Sequence, residues 1–305
     1  MRQTIRKNGI CWIDIINPSE TDIHYLKKKF KFHPLNLEDC ISKTERSKID
    51  EYGKYLFMIL HFPVWNQKLK RISVNQANFF LSADYIITIH SEKVPEISNF
   101  FTKVKKKGKD DLFEKGTSFI LYEILSNVFG KLSDTLDKVL SITRKIEKEI
   151  FDSSSATQKD LLREIMNIKR DIILFRRVIS PERLVLVALE HKHKKYVKEN
   201  LEFYFDDIVD DVERTWGNLE ALKETIENLQ ETNENIMSHE TNNVIKVLTI
   251  FSVIMLPITF ITSFYGMNVH SLPFEKSEYA AEIIGASLVL IGVGMFSFFR
   301  WKRWI

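Results

Sequence analysis

From Val247 to Tyr265 no residue is charged. A helix needs about 20 predominantly apolar residues to cross the hydrocarbon of a bilayer, and this run supplies that length. A second apolar run, Ala280 to Phe299, follows a short polar connection. Elsewhere in the 305 residues, charge is interspersed throughout. One globular core does not accommodate that division. The pattern fits an α+β cytoplasmic domain, then long helices, then two C-terminal transmembrane helices.

Lys and Arg together number 44 and Asp and Glu 41, so net charge points to no nucleic-acid partner. The charges are unevenly placed. Lys103, Lys105, Lys106, Lys107 and Lys109 form a basic knot, and Asp206, Asp207, Asp210, Asp211 and Glu213 an acidic one. Cys11 and Cys40 are the only cysteines. Without metal-type spacing they read as reduced cytosolic thiols, with a disulfide as the alternative in an oxidising compartment. Met1 to Asn17 has no long apolar core, so no signal peptide is expected.

Gly9 to Ile16 reads as a strand closed by Asn17-Pro18, and Ser19 then caps a helix whose Ile23, Leu26 and Phe30 share a face. His33-Pro34 starts a short helical turn. Lys48 to Phe62 reads as two strands around Tyr52-Gly53, with two more at Arg71 to Leu81 and Tyr85 to His90. After Gly116 the spacing is helical. Ile120, Ile124, Val128, Leu132, Leu136 and Val139 lead to a turn at 152–156. A second helix from Thr157 to Ile179 is expected to form a hairpin with the first, and Pro181 to open a third piece. From Leu201 a spacing of three and four continues into the first apolar run. An unbroken helix there is on the order of 100 Å long, a length that suits a stalk leading into a membrane.

The tail Arg300, Lys302, Arg303 is basic and flanked by Trp301 and Trp304, which places it on the cytoplasmic face. The connecting loop, with Glu275 and Glu278 against Lys276, is then extracytoplasmic. The expected division is 1–115 for the α/β domain, 116–243 for the helical region and stalk, and 244–268 for the first transmembrane helix. The loop is 269–279, the second transmembrane helix 280–299 and the basic cytoplasmic tail 300–305. The expectation is a multi-pass cell (inner) membrane protein with both termini cytoplasmic.

At about 100° per residue, Asn242, Ile245, Thr249, Ser252, Leu256, Thr259 and Ser263 fall within roughly a third of the first span's circumference. Polar groups inside a span face protein or water. Such a stripe either packs helices through small residues or lines a lumen, and two spans per chain cannot enclose one. A lumen therefore requires several copies. Pro257 frees the carbonyl of Val253, Lys246 sits at the cytoplasmic edge, and Gly266 ends the helix.

Tyr265-Gly266-Met267-Asn268 follows a proline-containing span. With Lys246 to Thr249, Pro257 to Phe260, a second span and a basic C-terminus, it resembles the CorA-type divalent cation transporters. Phe32 to Asp39, with Arg46, Asp50 and Tyr52, is similar to that family's N-terminal domain. The likeness extends over nearly the whole chain. It implies a funnel-shaped homopentamer in the lipid bilayer, carrying Mg2+ and possessing no enzymatic activity. It also implies that Gly266, Met267 and Asn268, with Tyr265, form the selectivity motif at the outer mouth. A ring of neutral amide oxygens holds a hydrated Mg2+ through its waters without trapping it. Leu248 and Leu256 are the candidate constriction, near Ile245, and Asn242 marks the inner end. The family's cytoplasmic Mg2+ sensing maps onto Asp207, with Asp211 and Glu231 as further candidates. Asp207 and Asp211 are like charges four residues apart, which a bound cation would neutralise. The family's external loop often reads Met-Pro-Glu-Leu. Here it is Ser271 to Glu275, with the acid displaced.

Co2+, Ni2+ or Zn2+ is the alternative cargo, since a zinc branch shares the two spans, and Met267 favours the magnesium branch. A membrane-tethered coiled-coil scaffold is the alternative of another class, but it leaves the hydroxyl stripe and Asn268 without a purpose. No nucleophile elbow, phosphate loop or dinucleotide turn points to an enzyme.

Overall fold

The computed structural model describes residues 1–42, 44, 46–108, 110–151, 158–192, 202–267, 273 and 279–304. The chain divides into two compact units, residues 1–230 and 231–305.

The first unit opens with a six-stranded sheet. Its strands are β1 (Arg2–Lys7), β2 (Ile10–Ile16), β3 (Lys48–Tyr52), β4 (Tyr55–Asn66), β5 (Arg71–Leu81) and β6 (Tyr85–His90). Their order is β1-β2-β6-β5-β4-β3. Only β2 and β6 run parallel; the other neighbours are antiparallel. Between β2 and β3 lie α1 (Glu20–Phe30) and α2 (Pro34–Asp39). Ser19 and Asp22 form a reciprocal capping box at the start of α1, which satisfies amides that the first turn leaves free. His33 Nδ1 accepts from Leu35 N at 3.3 Å to cap α2.

Both faces of the sheet are covered, so β4 is buried from Tyr55 to Pro63 rather than alternately. On one face Tyr55, Phe57, Ile59 and Phe80 pack with Leu26, Phe32 and Leu37. On the other, Trp12 meets Phe100 and Phe101 of α3 (Pro95–Lys107). There Phe62 also meets Phe129 of α5 (Thr117–Phe151), which follows the short α4 (Asp110–Glu114). The result is a mixed sheet between two helical layers.

Strand β1 lies outside the sequence expectation. Its only buried apolar residue is Ile5, and it pairs along β2 from Arg2↔Ile15 to Lys7↔Ile10. A half-solvated edge strand does not need the apolar density that marks a strand in sequence. Pro181 also corrects an expectation, because it opens no new helix. α6 runs unbroken from Gln158 to Lys192 with Pro181 inside it. The lost backbone bond is offset by burial on both sides, at Val178, Ile179, Val185, Leu186 and Leu189.

Helices α5 and α6 meet at Lys145–Glu164, 3.3 Å, as a hairpin requires. The turn expected at 152–156 lies outside the described residues. α7 spans Glu202–Tyr265 without interruption. Within the first unit α6 and α7 run antiparallel. Arg183, Arg176 and Lys169, seven residues apart, meet Glu213, Glu220 and Gln230 in turn. Trp216 stands between the two guanidinium groups, at 5.0 Å from Arg183 and 5.2 Å from Arg176.

Candidate transport site

In the second unit the C-terminal part of α7 accompanies α8 (Ala280–Trp301). Both are long and apolar enough to cross a membrane. The better covered side of α7 consists of Ile250, Ile254, Pro257, Ile258, Ile261 and Tyr265. A Cβ built on Gly292 of α8 would lie 3.7 Å from Ile258 Cδ1, so a bare backbone on α8 receives this side of α7.

Asn242, Ile245, Thr249, Ser252, Leu256, Thr259 and Ser263 are all exposed. At about 100° per residue their stripe is centred roughly 180° from the face that meets α8. Leu248 borders the stripe and is 63% exposed; Leu256, within it, is 69% exposed. The polar stripe therefore does not serve the contact between the two spans of one chain. Thr249 Oγ1 donates to the Ile245 carbonyl at 2.7 Å and Ser252 Oγ to the Leu248 carbonyl at 2.9 Å. These two hydroxyl protons are thus satisfied on their own helix, which leaves their oxygens as acceptors, the kind of group that meets the waters of a hydrated cation.

α7 ends where expected. The Gly266 amide bonds the Thr262 carbonyl at 2.9 Å, and a Cβ on Gly266 would approach that oxygen to 3.1 Å. A larger residue there would crowd that carbonyl by a few tenths of an ångström, one residue before the half-exposed Met267. Asn268 lies outside the described residues, as do Glu275 and Glu278 of the loop.

Arg300, Lys302 and Arg303 are exposed. α8 closes with Arg303 at φ +57°. Trp304 N bonds the Phe299 carbonyl at 3.0 Å and Arg303 N the Arg300 carbonyl at 3.1 Å. The Trp304 and Phe299 rings meet at 5.8 Å. This is the Schellman pattern with its hydrophobic contact. It folds Trp304 back onto the helix, a role that the reading of the tail as a topology signal missed. The cue in sequence was the apolar pair five residues apart.

Of the acidic candidates, Asp207 is exposed. Its position beside α5 shows in Tyr122, whose hydroxyl pKa is pushed up first by burial and then by the Asp207 charge. Asp211 pairs with Arg214 at 3.2 Å, and Glu231 is exposed. Among the described residues no three His, Cys, Asp or Glu side chains converge as a metal site. The structure does not bring Asp207, Asp211 and Glu231 together within one chain.

The sequence reading also missed a buried polar network. Glu182 on α6 is fully buried, accepts from the His61 amide of β4 at 2.6 Å and shares a short hydrogen bond with Ser47. Ser47 Oγ lies 2.9 Å from His61 Nδ1, and His61 Nε2 lies 2.8 Å from the Thr44 carbonyl. Burial pushes the Glu182 carboxyl up to about 8 and the His61 imidazole down. With both neutral, one proton pattern satisfies the chain. Glu182 donates to Ser47, Ser47 to His61 Nδ1, and His61 Nε2–H to Thr44.

The profile of the CorA-like Mg2+ transporter protein family matches residues 7–303. YfjQ of Bacillus subtilis, a candidate metal ion transporter by its name, is 27% identical over 300 residues, covering 96% of this chain and 89% of YfjQ. The cobalt/magnesium transport protein CorA of Thermotoga maritima is 24% identical over 295 residues, covering 96% and 83%. The complete structure of the CorA magnesium transporter from Methanocaldococcus jannaschii superposes with TM-score 0.85 at 21% identity, over 99% of this chain and 93% of that one. The α/β domain, long helix and two C-terminal apolar helices share its fold. The chain therefore belongs to the CorA-like Mg2+ transporter family, whose members are divalent-cation transporters of the membrane and not enzymes.

Proposed function

We propose that five copies of this chain surround a pore for divalent cations, Mg2+ foremost, in the cell (inner) membrane with both termini cytoplasmic. The carrying observation is the opposition of two faces on α7. Ile258 and its neighbours face α8, while Thr249, Ser252, Thr259 and Ser263 face away. A polar stripe that its own chain does not cover is costly against lipid. Facing a central axis shared with other copies, it meets water and ions instead. The number five comes from the family resemblance.

In this arrangement residues 244–268 form the pore helix, 269–279 the outer loop, 280–299 the lipid-facing helix and 300–305 the cytoplasmic tail. Asn268 forms an outer amide ring, framed by Tyr265, Gly266 and Met267. Leu248 and Leu256 make an apolar constriction that resists wetting, and Asn242 marks the inner mouth. Mg2+ demands octahedral oxygen geometry and sheds water reluctantly, so neutral oxygens that hold it through its waters select it without trapping it. The names of the Thermotoga and Methanocaldococcus relatives support Mg2+ and Co2+ over Zn2+ and Ni2+. Regulatory Mg2+ at Asp207, with Asp211 and Glu231, draws its remaining ligands from a neighbouring copy.

The test is uptake into liposomes containing the purified protein, with Mg2+, Co2+, Ni2+ and Zn2+ in turn. Mg2+ enters, and Asn268→Ala abolishes entry while the oligomer stays intact. Wild-type uptake by Asn268→Ala would refute the amide ring, and Zn2+ as the preferred ion would reassign the cargo.

A further inference from the structure

Strands β2 and β6, the parallel pair of the sheet, end side by side at Ile16↔His90, and the Asn17 amide closes the ladder on the His90 carbonyl at 2.9 Å. From there the chain leaves toward opposite faces. After β2 it enters α1, whose Leu26 packs with Phe57 and Phe80. After β6 it enters α3, whose Phe100 and Phe101 meet Trp12 on the other face. Parallel strands whose connections part in this way open a crevice beyond their carboxyl ends, and ligands of open α/β sheets bind in such crevices. A cleft of about 480 Å3 lies here, lined by Asn17 after β2 and by Ser91 and Lys93 after β6. Strand β5 lines it too. It pairs with β6 only as far as Ala77↔His90 but with β4 as far as Arg71, so Asn75 and Gln76 stand past the end of β6.

Much of the polar lining is already held. Gln76 Nε2 donates to the Asp39 carbonyl and to Asn78 Oδ1, each at 2.9 Å, and Gln76 Oε1 accepts from the Thr44 amide at 3.0 Å. His90 sits between the Ser91 carbonyl and Asp14, and His61 between the Thr44 carbonyl and Ser47. Asn17 Nδ2 donates to Glu92 at 2.9 Å. These bonds set the walls in place before any ligand arrives.

Asn75, Asn78 and Lys93 differ. Asn75 is 7% exposed, its amide makes no hydrogen bond among the described residues, and its Nδ2 is buried. Asn78 is 3% exposed; its Oδ1 is taken by Gln76, and its Nδ2 has no acceptor among the described residues. Lys93 is exposed and carries no ion pair among the described residues. Leaving a buried amide unpaired is costly, and an apolar side chain at position 75 would avoid that cost. No described residue lining the cleft carries a carboxylate side chain.

We propose that this crevice binds a small polyhydroxylated carboxylate of the sugar-acid class, with its carboxylate on Lys93 and its hydroxyls on the amides of Asn75 and Asn78. An ammonium with no ion pair, in a lining without carboxylates, selects one anionic group. Glu92, next to Lys93 in sequence, is engaged by Asn17 instead. Asn75 offers a donor and an acceptor in one plane and Asn78 a donor, which matches hydroxyls that both give and accept protons. The cleft volume falls within the range of small-molecule sites. The site is separate from the pore and its occupancy does not depend on transport.

The test is equilibrium dialysis of radiolabelled gluconate against the full-length protein in nanodiscs, without divalent cations. Glucose, acetate and inorganic phosphate are the competitors. Gluconate binds with a Kd on the order of 1 mM or tighter, and glucose and acetate each compete about tenfold less well. Lys93→Gln weakens gluconate binding about tenfold, and Lys93→Arg retains it. Asn75→Leu also weakens it about tenfold, while the ligand-free Tm holds or rises, because the amide it removes has no partner to lose. Absence of saturable binding, or binding unchanged in both Lys93→Gln and Asn75→Leu, would overturn the proposal. Acetate competing as well as gluconate would refute the hydroxyl contacts, and glucose competing as well would refute the role of Lys93. Phosphate competing better than gluconate would assign the cleft to inorganic anions. A ligand-free Tm that falls in Asn75→Leu would make Asn75 a structural residue and not a ligand contact.

Discussion

Replacing Glu182 by glutamine should flatten the pH dependence of stability of the sheet-bearing unit between pH 6.5 and 8. Burial raises the Glu182 carboxyl from 4.5 to about 8, so the folded state keeps a proton that the unfolded chain releases. A raised acid makes folding most favourable below 4.5 and progressively less so as pH rises toward 8. At 1.36 kcal/mol per unit, the whole interval is worth about 5 kcal/mol. His61 runs the other way. Its folded value lies below 6.5, so its contribution is lost only as pH falls below 6.5. Between 6.5 and 8 the Glu182 slope is therefore isolated from His61 and amounts to about 2 kcal/mol. Glutamine keeps an acceptor for the His61 amide but places an NH2 where Glu182 Oε2 now lies buried without a partner. That adds a constant cost, which leaves the slope unaffected. Thermal unfolding of wild type and Glu182→Gln, followed by tryptophan fluorescence across pH 6.5 to 8, measures the difference. Parallel curves would refute a protonated Glu182 in the folded chain.

Trp216→Ala removes the ring held between Arg176 and Arg183. Two partly exposed cation–π contacts and part of a large aromatic surface together give a loss of about 2 kcal/mol, read as a fall of about 4–8 °C in Tm. Arg183→Lys, which cannot reproduce the two-pronged pair with Glu213 at 2.6 and 2.7 Å, should cost less than 1 kcal/mol because that pair is partly solvated, and the same melting experiment measures it. Asp207→Ala should weaken Mg2+-dependent protection from proteolysis, and unchanged protection would move the proposed sensor elsewhere.

What could be read along the chain was periodicity and punctuation. The Ser19 cap, Pro34 after His33, the β5–β6 turn and the uninterrupted spacing of α7 all act within a few residues, and each stands in the structure as expected. What could not be read depends on a distant partner. Pro181-Glu182-Arg183 has the composition of an exposed helix start, yet α6 continues through it and Glu182 is fully buried. The cause lies 121 positions away. Pairing between β3 and β4 begins at Lys48↔Ile59, and beyond it the His61 amide of β4 is taken by Glu182. The same asymmetry governs the candidate site. The stripe from Asn242 to Ser263 is visible at 100° per residue, but sequence alone leaves it open whether hydroxyls pack helices or line a lumen. The structure adds what the other side of the same helix does. Once Ile258 lies on Gly292, the chain's own second span is met by the apolar face and not by the polar one, which is the observation behind the proposed pore.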